Sequence, residues 1–127
     1  MIFDSDILIS YLKKSTAAAA FVEDVPLAER ALSAVSYLEV LFGCHDTREY
    51  MLVQEFIDEE FAEVIPLTED ITLGAIKLMQ GFVLSRRPGT NDVLIAATAL
   101  VRNEPLATGN RKHFDFVPGL DLRIFRP

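Results

Sequence analysis

The chain is 127 residues long and half apolar, which is enough for one compact core and too little for two. Twelve basic residues against nineteen acidic ones give a formal charge of -7, the wrong sign for general affinity to a polyanion, so any nucleic-acid role must rest on a local site. The single cysteine, Cys44, excludes an internal disulfide and has no partner at metal-ligand spacing, which leaves it a buried packing role.

Ile2 and Phe3 form a short apolar run that ends in Asp-Ser-Asp, after which Ile7, Leu8, Tyr11 and Leu12 recur at helical spacing: a strand, a turn and a helix. Asp4 and Asp6 interrupt this early apolar stretch, so it does not read as a secretory signal. The longest apolar runs, around Ala17 to Val22 and Val93 to Val101, are too short to span a bilayer, and the expectation is a soluble, cytoplasmic protein with no membrane partner. A second helix is predicted from about Thr16 to Glu23, stopped near Pro26, and Ala31 to Val35 reads as a short buried strand. Ser36 then opens a helix, with Glu39 three residues on and Gly43 closing it.

From Arg48 to Ala62, Tyr50, Val53, Ile57 and Phe61 share one helical face, opposite Glu49, Glu55, Asp58 and Glu59. Val64 to Leu67 reads as a strand, Thr68 caps a long helix reaching about Leu84, and Arg86-Arg87-Pro88-Gly89 forms a loop. Thr90 or Asn91 is expected to cap the next helix, whose run Val93-Leu94-Ile95-Ala96-Ala97 is apolar on every side and hence central. Leu106 to Thr108 and Leu122 to Phe125 are the last strand candidates. Strands alternating with helices imply an α/β fold, a parallel sheet covered on both faces, with no repeat, linker or second domain.

Open parallel sheets bind ligands beyond the carboxyl ends of their strands, and that rule selects which acids to inspect. Asp4 and Asp6 follow the first strand, Glu39 the second, Asp92 begins the buried helix, and Asn110 and His113 follow the strand ending at Thr108. Each has an ordinary explanation that stays open. Asp6 suits the N-cap of the helix starting at Ile7, Glu39 completes a Ser-x-x-Glu capping box with Ser36, and Asp92 complements a helix dipole. Asn110 suits a turn, and His113 beside Phe114 suits a packed loop.

Taken together the acids are harder to explain. Two carboxylates about 5 Å apart repel by roughly 3 kcal/mol at an effective dielectric near 20, so three at one sheet edge would destabilise the fold unless a cation neutralised them. Hard oxygen donors with no cysteine and little histidine favour Mg²⁺ or Mn²⁺ over Zn²⁺, and such a centre suits phosphodiester hydrolysis.

At these residues the chain resembles the PIN-domain family, and within it the VapC-type toxins. The similar segments are Ile2-Phe3-Asp4-Ser5-Asp6-Ile7-Leu8-Ile9 and Ser36-Tyr37-Leu38-Glu39-Val40-Leu41-Phe42-Gly43, then Asn91-Asp92-Val93-Leu94-Ile95-Ala96-Ala97-Thr98-Ala99. Leu106-Ala107-Thr108-Gly109-Asn110 leading to His113-Phe114, and the tail Val117-Pro118-Gly119-Leu120, extend the likeness over nearly the whole chain. The resemblance implies a three-layer α/β/α fold with a parallel sheet of about five strands. It also implies Mg²⁺ held mainly at Asp4 and Asp92, with Glu39 as third acid, orienting or deprotonating the attacking water. It implies endonucleolytic cleavage of RNA, a cognate antitoxin protein and a homodimer.

Asn110 stands where many relatives carry an acid and His113 where Asp is frequent, which leaves one or two metal ions open. Asn110, with Thr108 nearby, would position a water or phosphate, and Asp6, Thr108, Arg111 and Lys112 are the substrate-side candidates. The basic pairs Lys13-Lys14, Arg86-Arg87 and Arg111-Lys112 either offset the acidity near RNA or are ordinary solvated loop charges. Two other readings compete. Phe3-Asp4-Ser5-Asp6 also resembles the opening of haloacid-dehalogenase-type phosphatases, with Asp4 as nucleophile, but the Asp-Asp pair such enzymes need later occurs nowhere in the chain. A non-catalytic PIN fold that only binds is the second; retention of all three acids argues against it.

Overall fold

The computed structural model describes residues 1–127. Five strands alternate with helices along the chain: β1 (Ile2–Phe3), α1 (Ser5–Leu12), α2 (Thr16–Glu23), β2 (Ala31–Ser33), α3 (Ala34–Phe42), α4 (Thr47–Glu60), β3 (Glu63–Ile65), α5 (Glu69–Phe82), α6 (Thr90–Arg102), β4 (Leu106–Thr108) and β5 (Leu122–Ile124). Single 3₁₀ turns at Leu27–Glu29 and Arg111–His113 complete the path. The strands form one sheet in the order β3-β2-β1-β4-β5, and every pairing is parallel.

Alternation along these short strands sends neighbouring residues to opposite faces, and that divides the core in two. Ile2, Ala31, Ile65 and Leu106 face one side, where they pack with Ile71 and Ala75 of α5 and with Val93, Ile95, Ala96, Ala97 and Ala99 of α6. Phe3, Leu32 and Ala107 face the other, against Ile7 and Leu8 of α1, Ala18 and Val22 of α2, and Val53 and Ile57 of α4. The result is the three-layer α/β/α arrangement expected, and α6 is central, as its all-round apolar run predicts.

The chain builds outward from β1 through β2 to β3, then returns to the other side of β1 to lay down β4. The carboxyl ends of β1 and β4 therefore flank the point where the strand order reverses, the usual crevice of an open α/β sheet.

Helix starts depart from the sequence reading in three places. Asp4, not Asp6, caps α1, its side chain accepting the Ser5 N–H, and Asp6 lies inside the first turn. Ser33 caps α3 and accepts the Val35 N–H; the helix starts at Ala34, so no Ser36–Glu39 capping box forms, and the buried Ser36 hydroxyl has no hydrogen-bond partner. Gly89 precedes α6 with no side-chain cap, because Thr90 and Asn91 are already helical. Thr68 caps α5 as expected. On α4 the buried stripe is only Val53 and Ile57, with Tyr50 about half exposed. Cys44 is half-buried against the α1/α4 side of the core, its Sγ 3.7 Å from the Val40 carbonyl.

Candidate active site

Asp4 leaves β1 at its carboxyl end and is buried. Its Oδ1 accepts the Ser5 N–H at 2.8 Å, and its Oδ2 accepts the Thr108 hydroxyl at 2.7 Å from the end of β4. The Asn110 N–H in turn donates to Thr108 Oγ1 at 3.0 Å, so a short relay ties the loop after β4 to the first acid. Burial, then the charge of Asp6 and more weakly that of Asp92, push the Asp4 carboxyl up to about 6, against the lowering pull of its hydrogen bonds with Thr108 and Ser5.

Asp92 sits in the first turn of α6, where the helix dipole favours a negative charge. Its Oδ2 stands 3.2 Å from His113 Nδ1. Burial raises its carboxyl above the ordinary range, His113 draws it down, and the charge of Glu39 raises it again. Glu39, freed from any cap, projects from α3: its Oε2 accepts the Ser5 hydroxyl at 2.7 Å and its Oε1 accepts the Asn91 amide at 3.3 Å. Charge thus links acids that are distant in the chain: Glu39 raises the Asp92 carboxyl, and Asp92 in turn raises that of Asp4.

Asp6 serves the backbone. Its Oδ1 accepts the Ile7 N–H at 2.8 Å and its Oδ2 accepts the Gly109 N–H at 2.8 Å, and a Cβ on Gly109 would meet that oxygen at 2.7 Å. Burial raises the Asp6 carboxyl, and the Gly109 and Ile7 hydrogen bonds lower it. Thr108 is fully buried and faces Asp4, whereas Asn110, Arg111 and Lys112 are exposed on the turn beyond β4. Of the basic pairs, Arg86 is engaged elsewhere, donating to Asp115 at 2.7 Å with its guanidinium over the Phe116 ring. Lys13 and Lys14 line a groove of about 720 Å³ that runs between α1, α3 and α4 and opens beside Glu39.

No three Asp, Glu, His or Cys side chains stand close enough to form a finished ligand set. Mg²⁺ keeps several of its waters and is held through one or two carboxylates rather than by a dedicated cage. The residues fit such an ion: the donors are all hard oxygens, and burial together with mutual repulsion raises the first acid to about 6, a strain that a divalent charge would relieve.

Sequence reasoning singled out the acids but not the side chains that tie them. Ser5, Asn91 and the contact of His113 with Asp92 escaped it; the only signal was that Ser5 and Asn91 adjoin Asp4 and Asp92 in the chain.

Comparison with known proteins places this geometry in context. The PIN domain family matches residues 1–119. Ribonuclease VapC10 of Mycobacterium tuberculosis is 37% identical over 122 residues, covering 90% of this chain and 85% of that protein. Ribonuclease VapC1 of Methanocaldococcus jannaschii is 27% identical over 128 residues, covering 98% and 86%. Among solved structures, that of VapBC-1 from nontypeable Haemophilus influenzae is similar with a TM-score of 0.78 at 27% identity, covering 98% of each chain.

Proposed function

The chain belongs to the PIN-domain family, and from that premise we propose that it is a Mg²⁺-dependent endoribonuclease, the toxin component of a toxin-antitoxin pair. The observation that carries the reading is the linkage of three acids from separate elements: Glu39 is hydrogen-bonded by Ser5 and Asn91, the chain neighbours of Asp4 and Asp92, and its charge raises Asp92 as that of Asp92 raises Asp4. Relatives named ribonuclease VapC and a similar VapBC structure support the RNA substrate and the antitoxin partner.

Asp4 and Asp92 would hold the ion, with Mn²⁺ as a substitute, and Glu39 would complete the acidic edge. When bound, the cation supplies charge to polarise a phosphate oxygen and ease deprotonation of water. The chain's own groups do the rest. Glu39 accepts the proton of the attacking water as its oxygen bonds to phosphorus, the bond to the leaving sugar oxygen breaks, and that oxygen leaves protonated by solvent. The Asn110 amide donates to a phosphate oxygen, and Thr108 holds Asp4 in register beneath it. Arg111 and Lys112, exposed on the turn after β4, draw RNA phosphates to a chain whose overall charge is -7.

A homodimer belongs to the same proposal; exposed Leu38 and Phe42 on α3, and Leu73 and Ile76 on α5, offer apolar surface for it. No helix is long and apolar enough to cross a membrane, which is compatible with the proposed cytoplasmic setting. The phosphatase reading with Asp4 as nucleophile is set aside, because the PIN match spans residues 1–119.

The test is cleavage of mixed RNAs with Mg²⁺, with chelator, and with Asp4→Asn and Asp92→Asn. Internal cuts that need the metal and both acids are expected. Metal-independent cleavage unaffected by either change discards the mechanism, and release of phosphate from a small ester instead of RNA cleavage revives the phosphatase.

A further inference from the structure

We propose that Ser5 and Asn91 are positioning residues that aim the Glu39 carboxylate between the two aspartates; the inference rests on the metal-nuclease reading above. Ser5 directly follows Asp4 in the chain, and Asn91 directly precedes Asp92. Each donates to a different oxygen of Glu39, Ser5 Oγ to Oε2 at 2.7 Å and Asn91 Nδ2 to Oε1 at 3.3 Å. The last torsion of a glutamate is broad, so one donor leaves the carboxylate free to swing, whereas two donors on opposite oxygens fix its plane. The third acid is thereby triangulated from the chain neighbours of the other two, and any shift of α1 or α6 carries its own aspartate and its own anchor for Glu39 together.

Neither donor has a competing local task. Ser5 is buried at the first position of α1, where Asp4 rather than Ser5 supplies the cap. Asn91 is inside α6, exposed, and caps nothing. The two bonds hold the carboxylate in the aim that a cation or an attacking water needs.

Calorimetric titration of the full chain with Mn²⁺ tests this directly, using Ser5→Ala, Asn91→Ala, Glu39→Ala, the two double variants with Glu39→Ala, and Ser5→Thr. Each single loss of a donor is expected to weaken Mn²⁺ binding by about tenfold, the scale found when groups orienting metal ligands are removed. Ser5→Thr, which keeps the hydroxyl, should bind like the unaltered chain, and in the Glu39→Ala background neither donor change should cost anything further. On RNA, kcat should fall for Ser5→Ala and Asn91→Ala with KM unchanged. A simple tie between helices would lower the unfolding midpoint and leave the binding constant where it was; that result, equal losses with and without Glu39, or no Mn²⁺ binding at all, overturns the proposal. If the Mn²⁺ coupling holds but RNA is not cut by the unaltered chain, the nuclease reading fails and the positioning role stands; if RNA is cut with unchanged kcat in both variants, the reverse is true.

Discussion

His113 Nδ1 stands 3.2 Å from Asp92 Oδ2, joining the turn after β4 to the first turn of α6. The imidazole is more than half exposed while the carboxylate is mostly covered, so the ring faces Asp92 from the solvent side and lowers its carboxyl. Replacing the ring by a carboxylate reverses that effect. His113→Asp is expected to destabilise the metal-free protein by about 1 kcal/mol, the scale of a repulsive contact in a partly solvated site. The same change should tighten Mg²⁺ binding, because another hard oxygen faces the ion. Chemical unfolding in chelator and calorimetry with Mg²⁺ measure the two effects. Weaker Mg²⁺ binding by this variant would show that His113 acts on the centre in another way.

Asp4 makes folding depend on pH in an unusual direction. Its folded carboxyl titrates at about 6, above an unfolded value of ~3.9. Between those values the folded chain binds more protons than the unfolded one, so stability is greatest at the acid end and falls as pH rises through the window. A shift of this size is at most about 3 kcal/mol from Asp4. The carboxyls of Asp6 and Asp92 are displaced in the same direction. In chelator, the unaltered chain should lose stability relative to Asp4→Asn between pH 4.5 and 7, and Mg²⁺ at pH 7 should restore it. Denaturant titrations at the two pH values give the comparison; parallel pH dependence in both proteins would mean that Asp4 carries no such penalty.

The layout of strands and helices was legible in the sequence because each element advertises itself locally. The run at Val93 to Ala97 is apolar on every side and became the buried α6; Thr68 with its following helix needed nothing from the rest of the chain. Boundaries that depend on tertiary pairing were not legible. Whether Ser33 or Ser36 begins α3 is decided by where β2 stops pairing with β3, and the register Ser33↔Ile65 puts that end at Ser33. The acids could be found because they follow strands and open helices. Their anchors could not, since the reach of Ser5 to Glu39 is set by how α1 packs against α3, a distance that no spacing along the chain encodes.

Gly109 is constrained by Asp6, and the pair gives a prediction with an internal control. A Cβ at this position would lie 2.7 Å from Asp6 Oδ2, the same oxygen that accepts the Gly109 N–H. Gly109→Ala should cost about 1–3 kcal/mol of stability, the range for forcing a methyl into filled space. Removing the obstructing carboxylate should release the clash, so Gly109→Ala in an Asp6→Ala background should cost little beyond the Asp6 change itself. A full double-mutant cycle by urea unfolding measures the coupling. Additive losses would mean that the glycine is required for some reason other than the carboxylate it faces.

The two serines at the start of α3 separate a cap from a bystander. Ser33 accepts the Val35 N–H and closes a helix end otherwise left with free donors, so Ser33→Ala should cost about 1 kcal/mol. Ser36 offers the opposite case: its hydroxyl is fully buried without a partner, and burying such a group is unfavourable. Ser36→Ala removes that penalty and leaves only a void the size of one oxygen, so it should be neutral or stabilising by up to about 1 kcal/mol. Glu39 belongs to the same comparison, because a capping box at Ser36 would occupy its carboxylate and pull it away from Asp92. Thermal unfolding of Ser33→Ala and Ser36→Ala distinguishes the two arrangements. A larger loss at Ser36 than at Ser33 would restore the box and with it a structural rather than chemical use of Glu39.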